Sequence, residues 1–161
     1  MPKDPLLEKL QQDARCPVAD LADQLSLPIK EINDRIAAWE ADGTILGYQA
    51  VLDREKVMRD DVVAVIEVKL TPERGGGYDR LAQRIARFDQ VRSCYLMSGG
   101  YDLAVFIHGG DLREVARFVA EKLSTIEGVL STATHFVLKA YKEGGFLVGG
   151  STEEDRLSVT P

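Results

Sequence analysis

Only two cysteines occur in the 161 residues, Cys16 and Cys94, and no spacing pattern links them. That argues against a disulfide framework and for two reduced thiols in a cytoplasmic protein. Histidine is equally scarce. His108 and His135 have no second ligand at metal spacing, so neither reads as a metal ligand or a catalytic base. No nucleophile–base pair and no glycine-rich phosphate loop is present, so neither an enzyme nor a cofactor is expected. No apolar run approaches the ~18 residues of a membrane span, so no membrane contact is expected. The start, Met1-Pro2-Lys3-Asp4-Pro5, lacks the basic-then-apolar order of a signal peptide. Basic residues are in deficit, 20 against 26 acidic, for a formal charge of −6. Bulk coating of nucleic acid is excluded by that balance, while a local basic patch is not.

What is present is ordinary for a globular protein: 45% hydrophobic and 29% charged residues. The length allows one domain or two small ones. Asp4-Pro5 opens a helix with a side-chain acceptor and then proline at the first position, and Leu6, Leu7, Leu10 and Ala14 form its stripe. Cys16-Pro17 ends it. A second helix spans 18–25, with Val18, Leu21, Ala22 and Leu25 on one face. Ser26-Leu27-Pro28 is a turn. A third helix follows to Ala41 with Ile29, Ile32, Ile36 and Trp39 at helical spacing, and Asp42-Gly43 stops it. Residues 44–46 and 48–52 read as two short strands around Gly47. Three helices, a tight turn and a small hairpin describe a winged helix-turn-helix over 1–52, whose third helix enters the major groove. A three-helix bundle that binds nothing fits the same pattern.

The charged stretch 53–61 reads as a linker, a short helix or hinge. Beyond it, Val62, Ala64, Ile66, Val68 and Leu70 share one face of a strand, with Glu67 and Lys69 opposite. The segment 73–77 is a flexible loop. A helix over 78–88 carries Tyr78, Leu81, Ala82, Ile85 and Phe88. Two apolar runs joined by Ser98-Gly99-Gly100-Tyr101-Asp102 form a hairpin in the middle of the sheet, its glycines reversing the chain with positive φ. Tyr101 and Asp102 fall on opposite faces of the outgoing strand. Asp111 caps a helix to about Ile126 with Leu112, Val115, Ala116, Val119 and Leu123 inward, and 129–141 is the last strand. Residues 62–142 thus read β-α-β-β-α-β, a ferredoxin-like domain, with a tail over 143–161. The fold class is α+β.

Two helices cover only one face of such a sheet. Yet Tyr95 and Met97 stand against Leu96, and Val137 against Phe136 and Leu138, so both faces carry apolar groups. A second copy of the sheet would cover the free face through an isologous contact. The N-terminal domain or the tail is the alternative cover.

Three stretches resemble the Lrp/AsnC, or feast/famine, transcription regulators: residues 40–48, EADGTILGY; 96–102, LMSGGYD; and 128–138, GVLSTATHFVL. The resemblance spans about residues 5–142. It implies a winged helix joined to an ACT-like effector domain (the RAM domain), duplex DNA as partner, and amino acids as effectors. It also implies homodimers that assemble further, for example to octamers. The chain departs from the family pattern in helix three, where only Lys30 and Arg35 face Glu31, Asp34, Glu40 and Asp42. Over residues 1–52 five basic residues meet nine acidic ones, a net of −4. Lys30, Arg35 and, past the wing, Arg54 are the DNA-contact candidates, with Lys56 and Arg59 adding positive potential; binding weak for the class is expected.

For the effector, successive N–H groups around Gly99-Gly100 suit a carboxylate as an anion nest, flanked by Ser98 and Tyr101. Asp102 would pair with an α-amine, and Thr132 and Thr134 offer hydroxyls. The plainer reading makes Asp102 a turn cap and the threonines ordinary strand residues. Two other functions compete with a regulator. One is a sensing or scaffold module with weak or lost DNA binding. The other is an enzyme similar to sirohaem decarboxylases, for which Arg92 is present but no histidine stands beside it.

Overall fold

A computed structural model of the protein describes residues 4–57, 61–72 and 77–149. The chain divides into two compact units, Met1–Ala50 and Val51–Pro161.

In the first unit, α1 (Pro5–Gln12) starts where the Asp4 carboxylate accepts the Leu6 N–H at 2.9 Å. α2 (Val18–Leu25) ends on Ser26, which takes the left-handed conformation at φ 53°. The Leu27 N–H reaches back to the Ala22 carbonyl at 3.0 Å and closes the reversal. α3 (Ile29–Ala41) then begins behind Pro28. Leu6, Leu21, Ala22 and Ile32 are buried together, ringed by Leu10, Val18, Leu25, Leu27, Ile36 and Trp39. Ile29 heads α3 ahead of this contact and is exposed, and Ala14 lies beyond the end of α1.

The wing strands expected at 44–46 and 48–52 are not formed. Two N–H groups of the first are engaged locally. The Thr44 N–H goes to the Asp42 carboxylate at 2.8 Å and the Ile45 N–H to the Trp39 carbonyl at 2.9 Å. Leu46 is left 97% exposed.

The second unit opens with the short α4 (Arg54–Val57), followed by β1 (Val62–Leu70), α5 (Asp79–Ala86), β2 (Val91–Leu96), β3 (Leu103–Gly109), α6 (Leu112–Arg117) and β4 (Val129–Phe136). The loop expected at 73–77 lies outside the described residues apart from Gly77. The antiparallel sheet has the order β2-β3-β1-β4. The hairpin therefore supplies an edge strand, β2, and one central strand, β3, rather than sitting wholly in the middle. β1 takes the other central position, with Ile66 opposite Val105 on one side and Thr134 on the other.

One face packs on the helices: Ala64, Ile66, Val68 and Leu70 meet Leu81, Ile85, Val115, Phe118, Leu123 and Ile126. α6 passes into a π-helical turn, Phe118–Leu123, closed by the Ser124 N–H on the Val119 carbonyl at 2.8 Å. Positions 118 and 123 would lie about 140° apart on an α-helix. The i→i+5 winding brings them closer to one face, and both are buried. That corrects the stripe read from sequence, since Leu112 and Ala116 are exposed and Phe118 is in the core. Gly128, at φ 96°, lets the chain turn into β4 so close to α5 that a Cβ would meet the Leu81 Cδ1 at 2.7 Å.

β4 stops at Phe136, short of Tyr141. The Val137 N–H still reaches the Val63 carbonyl at 2.9 Å, but β1 begins at Val62 and offers little further ladder. Instead β5 (Lys142–Glu143) and β6 (Phe146–Leu147) form a small hairpin over the junction read as domain and tail. Its Gly144 lies against Val51. Residues 150–161 of that tail lie outside the described residues.

Candidate functional site

α3 presents both of its basic side chains along its own length. Lys30 and Asp34 are one turn apart, and the Lys30 Nζ donates to the Asp34 carboxylate at 2.6 Å. Asp34 thereby holds the Lys30 ammonium above its ordinary pKa. Arg35 donates to Glu31 at 2.7 Å and to Asp4 at 3.3 Å. The two cations expected to meet DNA are thus matched by three carboxylates. Such exposed pairs add little to stability. They nonetheless cancel the local positive potential that phosphate attracts. Arg54, the third candidate, sits in α4 within the second unit. There it acts with Arg92 on His108, whose pKa is lowered chiefly by burial and further by these two cations. Lys56 pairs with Asp53 at 3.1 Å, and Arg59 lies outside the described residues.

The hairpin end places the effector candidates. The Met97 N–H bonds the Asp102 carbonyl at 2.8 Å, so Ser98, Gly99, Gly100 and Tyr101 form the loop. Gly99 takes the positive φ expected of it, 155°, and Gly100 does not. Asp102 precedes β3 rather than lying on a strand face. Its Oδ2 accepts the Leu70 N–H at 2.7 Å, and the Tyr78 hydroxyl also bonds its carboxylate, which raises the Tyr78 pKa. The aspartate ties the hairpin to the end of β1 and the start of α5.

Thr132 lies opposite Val68, and Val68 lies opposite Leu103, so Thr132 is at the same end of the sheet as the hairpin loop. Two strand spacings separate them, about 10 Å. Thr132 and Thr134 share the face of Val68 and Ile66, the side toward the helices. The Thr132 hydroxyl is 3.4 Å from that of Ser124, a contact the sequence reading missed because it depends on where the π turn ends.

The opposite sheet face is open. Val63, Val65 and Phe106 are half-buried on it, Tyr95 is 55% exposed and stacks edge-on against Phe106, and Ala133 is exposed. At its centre Glu67 faces His135 at 3.4 Å. Among the described residues no group of three metal-ligating side chains occurs, and no helix is long and apolar enough to cross a membrane.

Comparison with known proteins agrees with this architecture. Residues 63–146 match the family model of the Lrp/AsnC ligand binding domain. The chain is 43% identical to the HTH-type transcriptional regulator YugG of Bacillus subtilis, over 97% of this chain and 95% of the relative. It is 29% identical to a proline dehydrogenase transcriptional activator of Rhizobium radiobacter, covering 87% of this chain and 89% of that one. Among solved structures, a transcriptional regulator of Neisseria meningitidis in complex with L-Met superposes with a TM-score of 0.67 at 25% identity. That match covers 86% of this chain and 88% of the other. The resemblance read from three short stretches thus extends over nearly the whole length, and the chain belongs to the Lrp/AsnC family of HTH-type transcriptional regulators.

Proposed function

We propose that this protein is an effector-responsive transcription regulator that binds duplex DNA through α3 and senses an amino acid or related metabolite. One observation carries the reading: a helix-turn-helix unit and a β-α-β-β-α-β unit of the Lrp/AsnC ligand-binding type occupy one chain. It acts in the cytoplasm, without catalysis and without a cofactor. The effector sits at the hairpin end, against Ser98, Gly99, Gly100, Tyr101 and Asp102, with Thr132 at the same end of the sheet and Thr134 two residues further along β4 on the same face. The L-Met complex of the Neisseria relative supports an amino acid as the ligand class. Asp102 keeps acceptor capacity beyond its bonds to Leu70 and Tyr78, because an ionised carboxylate has about four lone-pair sites.

The open sheet face supports a homodimer. Val63, Val65, Tyr95, Phe106 and Ala133 surround the Glu67–His135 contact with apolar groups that an identical surface would cover around a two-fold axis. Larger assemblies such as an octamer belong to the same proposal.

A second reading is favoured by the ion pairs of α3: a sensing module whose DNA binding is weak or lost. Fluorescence anisotropy of labelled DNA from upstream of its own gene, with and without each amino acid, separates the two. The regulator reading expects preference over random duplex and a shift in affinity with at least one amino acid. Equal binding to random sequence at low salt leaves the sensing module.

A further inference from the structure

The helix layer of the second unit carries charge opposite to that of the chain as a whole. From Asp79 to Arg87 and from Leu112 to Leu123 there are six basic residues and three acidic ones, a net of +3, in a protein of net −6. The helix-turn-helix half has the reverse sign, and its two α3 cations are paired with carboxylates.

The positive charge is ordered. Arg80, Arg84 and Arg87 stand at i, i+4 and i+7, which is one side of α5. With Gln83 they line an open groove of 340 Å³ floored by Leu81 and ending at Glu127. Arg84 and Arg87 form no ion pair among the described residues. A further cation stands on the neighbouring element, outside the groove lining. The Lys122 Nζ lies 5.8 Å over the ring of Phe88, the residue after Arg87. Phe88 is itself held by an edge-on stack against Phe118 in the π turn.

We propose that this face of α5, with Arg80, Arg84, Arg87 and Lys122, binds the phosphate backbone of duplex DNA. The proposal rests on the regulator reading above and gives the ligand-binding unit its own part in holding DNA. Charge complementarity selects the occupant. The arginine row runs about 10 Å along the helix at ~1.5 Å per residue. One DNA strand carries a phosphate every ~3.4 Å of axis and winds around that axis, so a row of this length reaches more than one phosphate of a strand. Arginine and glutamine donors in an open groove suit a continuous line of oxyanions that carries no base information. Glu127 is the one acid lining the groove, and it sets a limit on affinity that its removal would lift.

The test is full-length protein and duplex from upstream of its gene, titrated by anisotropy at several salt concentrations. Arg84→Gln/Arg87→Gln is expected to lower affinity at least tenfold, for specific and random duplex alike. The slope of log K against log[salt] should flatten by up to about two units, ~0.9 for each phosphate that the variant no longer neutralises. Glu127→Gln is expected to tighten binding. Lys139→Gln/Lys142→Gln removes the same charge from the segment around β5 and should leave the slope unchanged. Melting temperature and sedimentation mass of each variant establish that fold and assembly are retained. The proposal is overturned if Arg84→Gln/Arg87→Gln binds with wild-type affinity and slope. It is equally overturned if affinity falls with no change in slope while the sedimentation mass shifts, which makes the face an interface between copies. Wild type that binds no duplex at all defeats the regulator reading first and this inference with it.

Discussion

Asp102 and Leu70 are 32 residues apart in sequence, and the carboxylate of one accepts the backbone N–H of the other at 2.7 Å. Leu70 is the last residue of β1 and is buried on the helix side. Its N–H lies one step past the last β1–β3 pair, Val68 with Leu103, on the side where the Val68 carbonyl accepts the Asp102 N–H. An acceptor from outside the ladder is needed there, because a buried N–H without one costs about 1–3 kcal/mol. The same carboxylate bonds the Tyr78 hydroxyl just ahead of α5. One side chain thus fastens three segments around the proposed effector loop.

Asp102 therefore has a structural share that substitution should reveal. Asp102→Ala leaves the Leu70 N–H unpaired and is expected to lower stability by about 1–3 kcal/mol in urea unfolding. Asp102→Asn keeps an acceptor for Leu70, so stability should stay within about 1 kcal/mol of wild type. If that variant loses amino-acid affinity by calorimetry while keeping its stability, the charge itself contacts the effector. Equal effector affinity leaves Asp102 as a fastening residue alone.

The ion pairs of α3 make a second outcome measurable. Glu31→Gln/Asp34→Asn removes one of the two carboxylates beside Arg35 and the one that holds Lys30. Affinity for any duplex should rise and its salt dependence steepen, by up to about 0.9 in slope per cation that gains a phosphate. Discrimination between specific and random sequence should not improve. An unchanged slope would mean that α3 does not approach the backbone.

Stability should also depend on pH through His108. Burial lowers its pKa in the folded protein, as do Arg54 and Arg92, against the opposing charges of Asp61 and Glu143. The unfolded chain therefore binds the proton first as pH falls. The contribution is complete above the unfolded value of about 6.5. It is lost as pH falls from there toward the lowered folded pKa. His108→Gln is expected to flatten this part of the stability profile, measured by chemical unfolding between pH 7.5 and pH 5 on the order of half-unit steps. A profile identical to wild type would show that His108 does not set this dependence.

Ser26 offers a stabilising substitution. It is the non-glycine residue at positive φ among the described residues, and it closes the turn between α2 and α3. The left-handed region costs a residue with a Cβ about 1–2 kcal/mol, part of which serine recovers relative to larger side chains. Ser26→Gly should raise stability of the first unit by about 0.5–1 kcal/mol, read as a higher melting temperature. A fall would show that the serine hydroxyl matters more to the turn than the backbone strain.

Local chemistry fixed much of the architecture in advance. Asp4-Pro5 starts α1 because capping involves only neighbouring residues, and Gly43 follows the end of α3 for the same reason. The alternation from Val62 to Leu70 marks β1 because one face of that strand is buried and the other is not. Such signals are carried by adjacent residues, and periodicity reports them directly. The motif stretches at 40–48, 96–102 and 128–138 likewise pointed to the family that the whole-length comparison established. Tertiary structure decided the rest, where the outcome depends on partners distant in sequence. At the expected first wing strand, the Thr44 and Ile45 N–H groups turned to Asp42 and Trp39 instead of a ladder. Phe118 and Leu123 come toward one buried face through the π turn, a change of winding that a 3.6-residue stripe cannot show. Asp102 turned to Leu70, and the α3 cations turned to their own carboxylates. The composition of each pair was visible in the chain, but a hydrogen bond or ion pair forms only when folding sets the distance.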